Sequence, residues 1–185
     1  TTPMQQPKVS VHFGYSGLMP YEFKDRITLT LLTQALSSRY LVSIREEKGG
    51  TYGVQVYGRT AYIPEENFYM NIEFDTNEEM ADELCEIIVA EIRKIADEGP
   101  LTEDIEKTRE YLLKEWNNSL EQNAGWMSYI QAKYSSGLNY VADYEKTLRS
   151  VTNADVQALA KKILADDNLV KVIMRPAKAE ETPAE

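Results

Sequence analysis

Two segments near the middle of the 185-residue chain limit its possible folds more strongly than any other part of the sequence. Apolar and polar residues alternate from Val54 to Tyr62 and again from Asn67 to Asp75, which is typical of strands with one buried and one solvated face. Ile63-Pro64-Glu65-Glu66 separates them and has the composition of a turn. We therefore predict an antiparallel hairpin, whose apolar face must pack against another layer of secondary structure.

Helical patterns on both sides of the hairpin supply that second layer. Thr102 is predicted to cap one helix, and Thr152-Asn153-Ala154-Asp155 resembles a capping box that opens the last one. Trp126, Ile130 and Tyr134 recur at helical spacing, which favours a place in the core. The predicted helices lie at Lys24–Tyr40, Asn77–Asp97, after Thr102, in two pieces broken at Gly137 within Trp126–Tyr144, and after Thr152.

Strand patterns also occur near both ends of the chain. Lys8–Phe13 alternates like a half-buried strand and is followed by a predicted loop at Gly14–Pro20, while Asn168–Met174 has the composition of a buried last strand. Residues 1–7 form a polar lead, and 175–185 have the composition of a disordered tail. The prediction is one α+β domain over residues 8–174: a mostly antiparallel sheet of about four or more strands, packed on one side by five or six helices.

Composition excludes several classes of function. Twenty Lys and Arg against thirty Asp and Glu leave a net charge of −10, which argues against nucleic acid and anionic lipid as partners because both need a basic surface. No apolar run approaches the roughly 18 residues of a membrane span. A single cysteine, Cys85, excludes an internal disulfide framework, and a single histidine, His12, excludes multi-histidine metal sites.

The sequence lacks a complete set of residues for a catalytic metal site or for a nucleophile with its base. Catalytic zinc needs three protein ligands and an open position, whereas His12 supplies one imidazole on a predicted strand. Cys85 lies on an apolar helix and has no second histidine to act as its base. We therefore predict no metal site in this chain, with His12 at the surface or hydrogen-bonded.

One corner of the chain combines groups that suit peptide recognition. A helix delivers Arg45, the Gly49-Gly50 pair turns the chain, and Tyr52 opens a strand. A guanidinium and a phenol at one corner would form a two-point donor for a peptide carbonyl or for an oxyanion formed from it. The structural alternative is that Arg45 pairs with a nearby acid while Tyr52 packs at a strand end.

Three motifs in order resemble the insulinase/pitrilysin-type zinc peptidases. The first and most specific runs from Ser37-Ser38-Arg39-Tyr40-Leu41 to Arg45-Glu46-Glu47-Lys48-Gly49-Gly50-Thr51-Tyr52 and is similar to that family's Ser-Arg-Leu and Arg-Glu-Lys-x-Gly-x-x-Tyr stretch. Gly99–Ile105 resembles the start of a family helix, and Val151–Val156 resembles the opening of its last helix. Together these matches extend over nearly the whole predicted domain.

The resemblance implies a C-terminal, non-zinc region of a metalloendopeptidase. In that family, a zinc-bearing N-terminal half carries His-x-x-Glu-His, and the C-terminal half contributes an arginine and a tyrosine seven residues apart. Arg45 and Tyr52 occupy those positions, so Tyr52 is expected to donate its hydroxyl to the scissile carbonyl or oxyanion, and Arg45 to hold a neighbouring carbonyl. The implied partners are a peptide substrate and the zinc-bearing half, on the same or another chain. Zinc belongs to the complete enzyme, and this chain alone is expected to be inactive.

Two other functions stay open at this stage. A relative without proteolytic activity would serve as a scaffold or processing-complex subunit, and it would have no need to retain Arg45 and Tyr52. An unrelated peptide or ligand-binding module would use the Trp126–Tyr144 aromatics as a wall. The resemblance also implies an expectation of strands or a helix before Thr1, which would leave a sheet edge able to pair with another chain.

Overall fold

A computed structural model describes residues 8–46, 48, 51, 53–165 and 168–176, without the side chains of Arg45 and Glu46. Within these ranges, four strands and six helices follow one another, with one π-helical segment after the first helix. In chain order they are β1 (Val9–Leu18), α1 (Phe23–Tyr40), the π-helical segment (Leu41–Glu46), β2 (Val54–Ala61), β3 (Asn67–Thr76), α2 (Ala81–Glu98), α3 (Thr102–Leu120), α4 (Asn123–Ser136), α5 (Tyr144–Ser150), α6 (Asn153–Ala165) and β4 (Leu169–Met174).

The four strands form one open antiparallel sheet in the order β2-β3-β1-β4. β3 pairs with β2 on one side and β1 on the other, with Glu73 opposite both Gln55 and His12. β4 pairs with β1, placing Val172 opposite His12. The predicted α+β class and the central hairpin are confirmed. The first and last strands become neighbours because the chain, after the five helices that follow β3, returns to pair β4 with β1.

The inner face of the sheet packs against the helices and forms the core. Alternate residues of β1 and β3 point inward and are almost completely buried, as their period-two pattern predicts. Each buried large apolar side chain contributes about 1.5–3 kcal/mol relative to exposure. The inward residues of the two central strands are Val9, Val11, Phe13, Tyr15, Phe68, Met70, Ile72 and Phe74.

A buried hydrogen bond joins α1 to α2. Tyr40, the last residue of α1, is fully buried, and its hydroxyl donates to the carbonyl oxygen of Ile88 in α2 at 2.9 Å. Burial raises the pKa of the Tyr40 phenol well above its ordinary value, so it stays protonated and keeps donating near neutral pH. Ile44 in the π-helical segment is also fully buried, which fixes this segment to the core.

The predicted loop at Gly14–Pro20 is wrong over its first five residues, because β1 continues to Leu18. Gly14 and Ser16 are weak strand formers. They face outward, however, while Tyr15 is buried on the inner face, so the alternation that begins at Val9 continues. Ladder pairing with β3 extends along the whole of β1 and outweighs the local preference.

The predicted burial of the last strand is also wrong. β4 is an edge strand, and Val170, Val172 and Met174 are 64%, 44% and 62% exposed on the outer face. The apolar run indicated a strand correctly, but it could not distinguish an edge from the sheet interior. Pairing of a sheet edge with another chain stays a prediction.

Helix ends show where local sequence preferences hold. Thr152 and Asp155 form the predicted reciprocal capping box: the Asp155 amide donates to Thr152 Oγ1 at 3.2 Å, and Thr152 N donates to Asp155 Oδ2 at 2.8 Å. Gly137 ends α4 with a φ of +78°, which confirms the predicted break. Thr102 is not the cap of α3, since Leu101 occupies that position and Thr102 Oγ1 instead accepts a 2.9 Å hydrogen bond from Asn153.

The aromatic segment differs from its predicted core role. Trp126, Ile130 and Tyr134 in α4 are 43%, 53% and 83% exposed. Helical spacing correctly placed them on one side of a helix, but that side faces away from the domain.

None of the helices in the described part of the chain combines the length and apolar character needed to cross a bilayer. The polar lead at residues 1–7 and the tail beyond Pro176 lie outside the described residues.

Candidate functional site

The outer face of the sheet is not covered by the helices and carries a cavity that adjoins the predicted corner. This open groove has a volume of about 780 Å³, which is within the usual size range of ligand-binding pockets. All four strands contribute to it, together with the stretch just before β2. Its lining residues are Ser10, Val11, His12, Thr51, Gly53, Val54, Gln55, Glu73, Phe74, Asp75, Val172 and Met174.

Glu73 is the centre of a hydrogen-bonded group on the groove floor. Its Oε1 accepts a hydrogen bond from the Tyr57 hydroxyl at 2.8 Å and lies 2.9 Å from His12 Nδ1. The hydrogen bond to Glu73 raises the pKa of Tyr57 because it favours the protonated phenol. The imidazole donates to Glu73 when its Nδ1 carries the proton. The group therefore holds three side chains from β1, β2 and β3 in one fixed arrangement.

Asp75 forms a second polar centre two residues further along β3. Its two carboxylate oxygens accept hydrogen bonds from Lys8 Nζ and Ser10 Oγ, both at 2.6 Å. Hydrogen bonding from Lys8 and then from Ser10 lowers the pKa of Asp75 below its ordinary value. The carboxylate is therefore charged and already paired at neutral pH, which makes it part of the polar floor rather than a free acid or base.

The opposite side of the groove is apolar. Val172 and Met174 of β4 lie opposite His12 and Ser10 in the strand pairing. Both are strongly exposed. The groove therefore has a polar floor and one apolar wall.

The predicted corner adjoins this groove through its described residues. Thr51 and Gly53, on either side of position 52, both line the groove. The Thr51 hydroxyl lies 3.2 Å from the Gly53 carbonyl oxygen and 3.3 Å from the Gly53 amide nitrogen, and this local hydrogen bonding shapes the chain on both sides of position 52. Lys48 forms a 2.6 Å ion pair with Glu83 in α2.

The structure describes the two predicted site residues to different extents. The backbone of Arg45 belongs to the π-helical segment, but its side chain is not described, and Tyr52 lies outside the described residues. The structure thus neither brings Arg45 and Tyr52 together nor separates them. π-Helical turns occur frequently at functional sites.

Residues of the groove floor were not among the predicted site residues. The alternation of β3 placed Glu73 and Asp75 on a solvated face, and His12 was correctly expected to be exposed or hydrogen-bonded. What the sequence lacked was the strand order, since only the pairing of β1 between β3 and β4 brings His12 beside Glu73.

The described residues do not fit a zinc ion. Across these ranges, no three His, Cys, Asp or Glu side chains converge on a common point. His12 has Glu73 as its neighbour, and Cys85 is buried among the apolar residues of α2. Burial raises the pKa of the Cys85 thiol, which disfavours the thiolate that would bind metal.

The described part of the chain is an open antiparallel sheet with helices on one face and a groove on the other. The sequence profile of the family described as "Peptidase M16 inactive domain" matches residues 1–112. The chain belongs to this family, and its motifs correspond to the C-terminal, non-zinc domain of the insulinase type. No curated protein sequence matches the chain.

Solved structures share this fold. The periplasmic protease PqqL from Escherichia coli superimposes with a TM-score of 0.80 at 17% identity, over 94% of this chain and 20% of that one. An M16 inactive domain structure from Pseudomonas fluorescens has a TM-score of 0.75 at 21% identity, covering 98% of this chain and 43% of that one. An inactive peptidase domain from Bordetella parapertussis has a TM-score of 0.74 at 14% identity and covers 99% of both chains. This chain thus spans one fifth of the Escherichia coli protein and less than half of the Pseudomonas one.

Proposed function

We propose that this chain is the substrate-binding, C-terminal region of a zinc metalloendopeptidase and that Arg45 and Tyr52 present donors to the substrate backbone. The observation that carries the proposal is the position of Thr51 and Gly53, which both line the groove on the open sheet face. Thr51 and Gly53 are the immediate sequence neighbours of Tyr52. The family membership and the seven-residue spacing of the arginine and tyrosine support the same assignment.

The chemistry expected of the pair is hydrogen-bond donation. A tyrosine hydroxyl can donate to the scissile carbonyl and continue donating as negative charge develops on its oxygen, which stabilises the transition state more than the ground state. An arginine at position 45 remains charged at any pH of interest and would hold a neighbouring carbonyl oxygen. Neither role requires the tyrosine or the arginine to exchange a proton with the substrate.

The groove supplies the surface on which the peptide would lie. Its apolar wall at Val172 and Met174 could receive an apolar side chain, while the hydroxyl and amide groups of Ser10 and Gln55 face the same space. The residues described here do not fit zinc, so the metal and its activated water are assigned to a separate half carrying His-x-x-Glu-His. This chain alone is expected to hydrolyse no peptide.

The test is the substitution Tyr52→Phe in the complete enzyme, the zinc-bearing half included. Loss of one oxyanion donor commonly lowers kcat by about 100- to 1000-fold, so we expect a decrease on that scale with the same thermal unfolding temperature. Tyr62→Phe is the matched control, because Tyr62 lies beyond the other end of β2, where its ring packs against Tyr21. Unchanged peptidase kinetics in Tyr52→Phe, or an equal decrease in both variants, would refute the role.

A further inference from the structure

The helix α4 is attached to the domain along one side only. At its first turn α4 lies so close to the end of α3 that a Cβ atom on Gly125 would overlap the carbonyl oxygen of Ser119. One turn later, the Tyr129 hydroxyl contacts that of Ser119. The Tyr129 ring stacks on Tyr140 with a centroid separation of 4.9 Å. These contacts fix the orientation of α4, and no residue of the helix is fully buried.

The free side of α4 carries a stripe of large apolar side chains, which we call the α4 stripe: Trp126, Met127, Ile130 and Tyr134. At about 100° per residue these four positions fall within an arc of roughly 100° on the helix surface. Tyr129 lies outside that arc, on the attached side. The stripe residues are 43%, 72%, 53% and 83% exposed, so this side of α4 faces solvent.

The composition of the stripe is that of a protein interface. Interface centres are enriched in aromatic residues and methionine and depleted of charge, and Lys133 is the only charged residue among the 14 of α4. A fully exposed aromatic side chain offers about 150–250 Å², so the four stripe residues together expose on the order of 500 Å². An apolar patch of about this size on a monomer frequently has a function.

We propose that a second copy of this chain covers the α4 stripe, with the two α4 helices packed antiparallel across a two-fold axis near Ile130. Trp126 and Tyr134 are each four residues from Ile130, so such an axis sets Trp126 of one copy beside Tyr134 of the other. The absence of acidic residues in α4 removes like-charge contacts between carboxylates at the helix pair. This inference does not depend on the proposed function, because α4 packs on α3 in the helical layer and not on the open sheet face.

The size of the stripe predicts a weak dimer. Two such surfaces bury about 1,000 Å², which is near the lower limit for a specific interface and typical of weak or transient ones. We therefore expect a dissociation constant in the micromolar range or above. The net charge of −10 on each copy opposes association at long range. Added salt screens this repulsion and leaves apolar packing in place, so the dimer should strengthen as salt increases.

Sedimentation equilibrium of the 185-residue chain tests the proposal directly. Between roughly 1 and 200 μM, the range in which an interface of this size associates, the average mass should rise from 21.1 kDa towards twice that value. Ile130→Glu and Tyr134→Ala should remain monomeric or nearly so over the same range. Both positions are exposed, so their thermal unfolding temperatures should match that of the unmodified chain.

Two control variants separate association through the α4 stripe from a general effect of added charge and from pairing at the sheet edge. Leu18→Glu adds the same charge at a 60% exposed apolar position at the end of β1, and it should dimerise like the unmodified chain. Val170→Glu changes the exposed edge strand β4 and should also leave the dimer intact. A chain that stays monomeric at every concentration, which would leave the stripe to another domain or protein, overturns the proposal. So does a dimer lost in Val170→Glu but retained in Ile130→Glu.

Discussion

Gly58 is expected to set the distance between β2 and α1, and replacing it should destabilise the domain. Gly58 lies on the inner face of β2, opposite Met70 in β3. A Cβ atom built there would be 2.8 Å from Leu29 Cγ and 3.0 and 3.1 Å from its two methyl carbons. Leu29 is only 2% exposed, so it cannot move away into solvent.

The expected cost of Gly58→Ala follows from these distances. An ordinary contact begins at 3.4 Å, so Leu29 or the strand must shift by about 0.6 Å. Overpacking of this kind costs about 1–3 kcal/mol, and the loss of glycine flexibility in the unfolded chain returns about 0.4–1 kcal/mol. Taking the middle of each range, the net loss of unfolding free energy is about 1.3 kcal/mol, which lowers Tm by roughly 3–5 °C for a chain of this length.

Urea and thermal unfolding followed by circular dichroism measure this loss, with Gly14→Ala as the matched control. Gly14 is also a strand glycine, but its Cβ would meet neighbours at 3.5 Å or more, so the control should be neutral or slightly stabilised. In a double-mutant cycle, Leu29→Ala should lower the unfolding free energy less in the Gly58→Ala background than in the unmodified chain. The difference should be about the overpacking strain that removal of the Leu29 side chain relieves. Equal stability of the two glycine variants, or simple additivity with Leu29→Ala, would refute the close-packing argument.

Two further predictions concern buried polar groups. The Tyr15 hydroxyl is buried without a hydrogen-bond partner among the described residues, so Tyr15→Phe should raise the unfolding free energy by about 1 kcal/mol in urea titrations. Burial raises the pKa of Tyr15 from 10.0 to about 12. Because the phenol of the unfolded chain ionises first, the unfolding free energy falls as pH rises from 10 to about 12. The unfolding free energy of Tyr15→Phe should fall less steeply over the same range. Arg109 donates to the carbonyl oxygens of Leu148 and, at 3.0 Å, Val151, so Arg109→Met should cost about 2–4 kcal/mol. The exposed control Arg149→Met should cost no more than about 1 kcal/mol, and similar costs for both arginines would contradict the assignment.

The sequence predicted an element correctly wherever its structure depends on one local pattern. Strict alternation identified β3 and its buried residues, and the Thr152–Asp155 box located the start of α6, because each depends on neighbours close in sequence. At Gly14 the local preference for a loop was overruled by pairing with β3 and β4, which involves residues more than 50 positions away. β4 and α4 were misjudged for a related reason: an apolar period shows which residues share a face, but not whether another layer covers that face.

The candidate site shows the same division between local and distant information. The spacing of Arg45 and Tyr52 was visible in the sequence as a motif, and the structure adds that Thr51 and Gly53 line the groove. The arrangement of His12, Tyr57 and Glu73 could not have been predicted, because it joins three strands whose order is fixed only by the complete fold.

The hydrogen bond from Tyr40 to Ile88 has a consequence for how this domain tolerates change. It locks the end of α1 to α2 one residue before the π-helical segment begins, while Gly58 seats β2 against the same α1 helix. The chain from position 46 to position 53 thus connects two elements that are each anchored to one scaffold. Residues added or removed within that connection would alter the reach between positions 45 and 52 without loosening the domain beneath it. Under the proposed function, such a change would alter how a peptide is held while the scaffold stays unchanged.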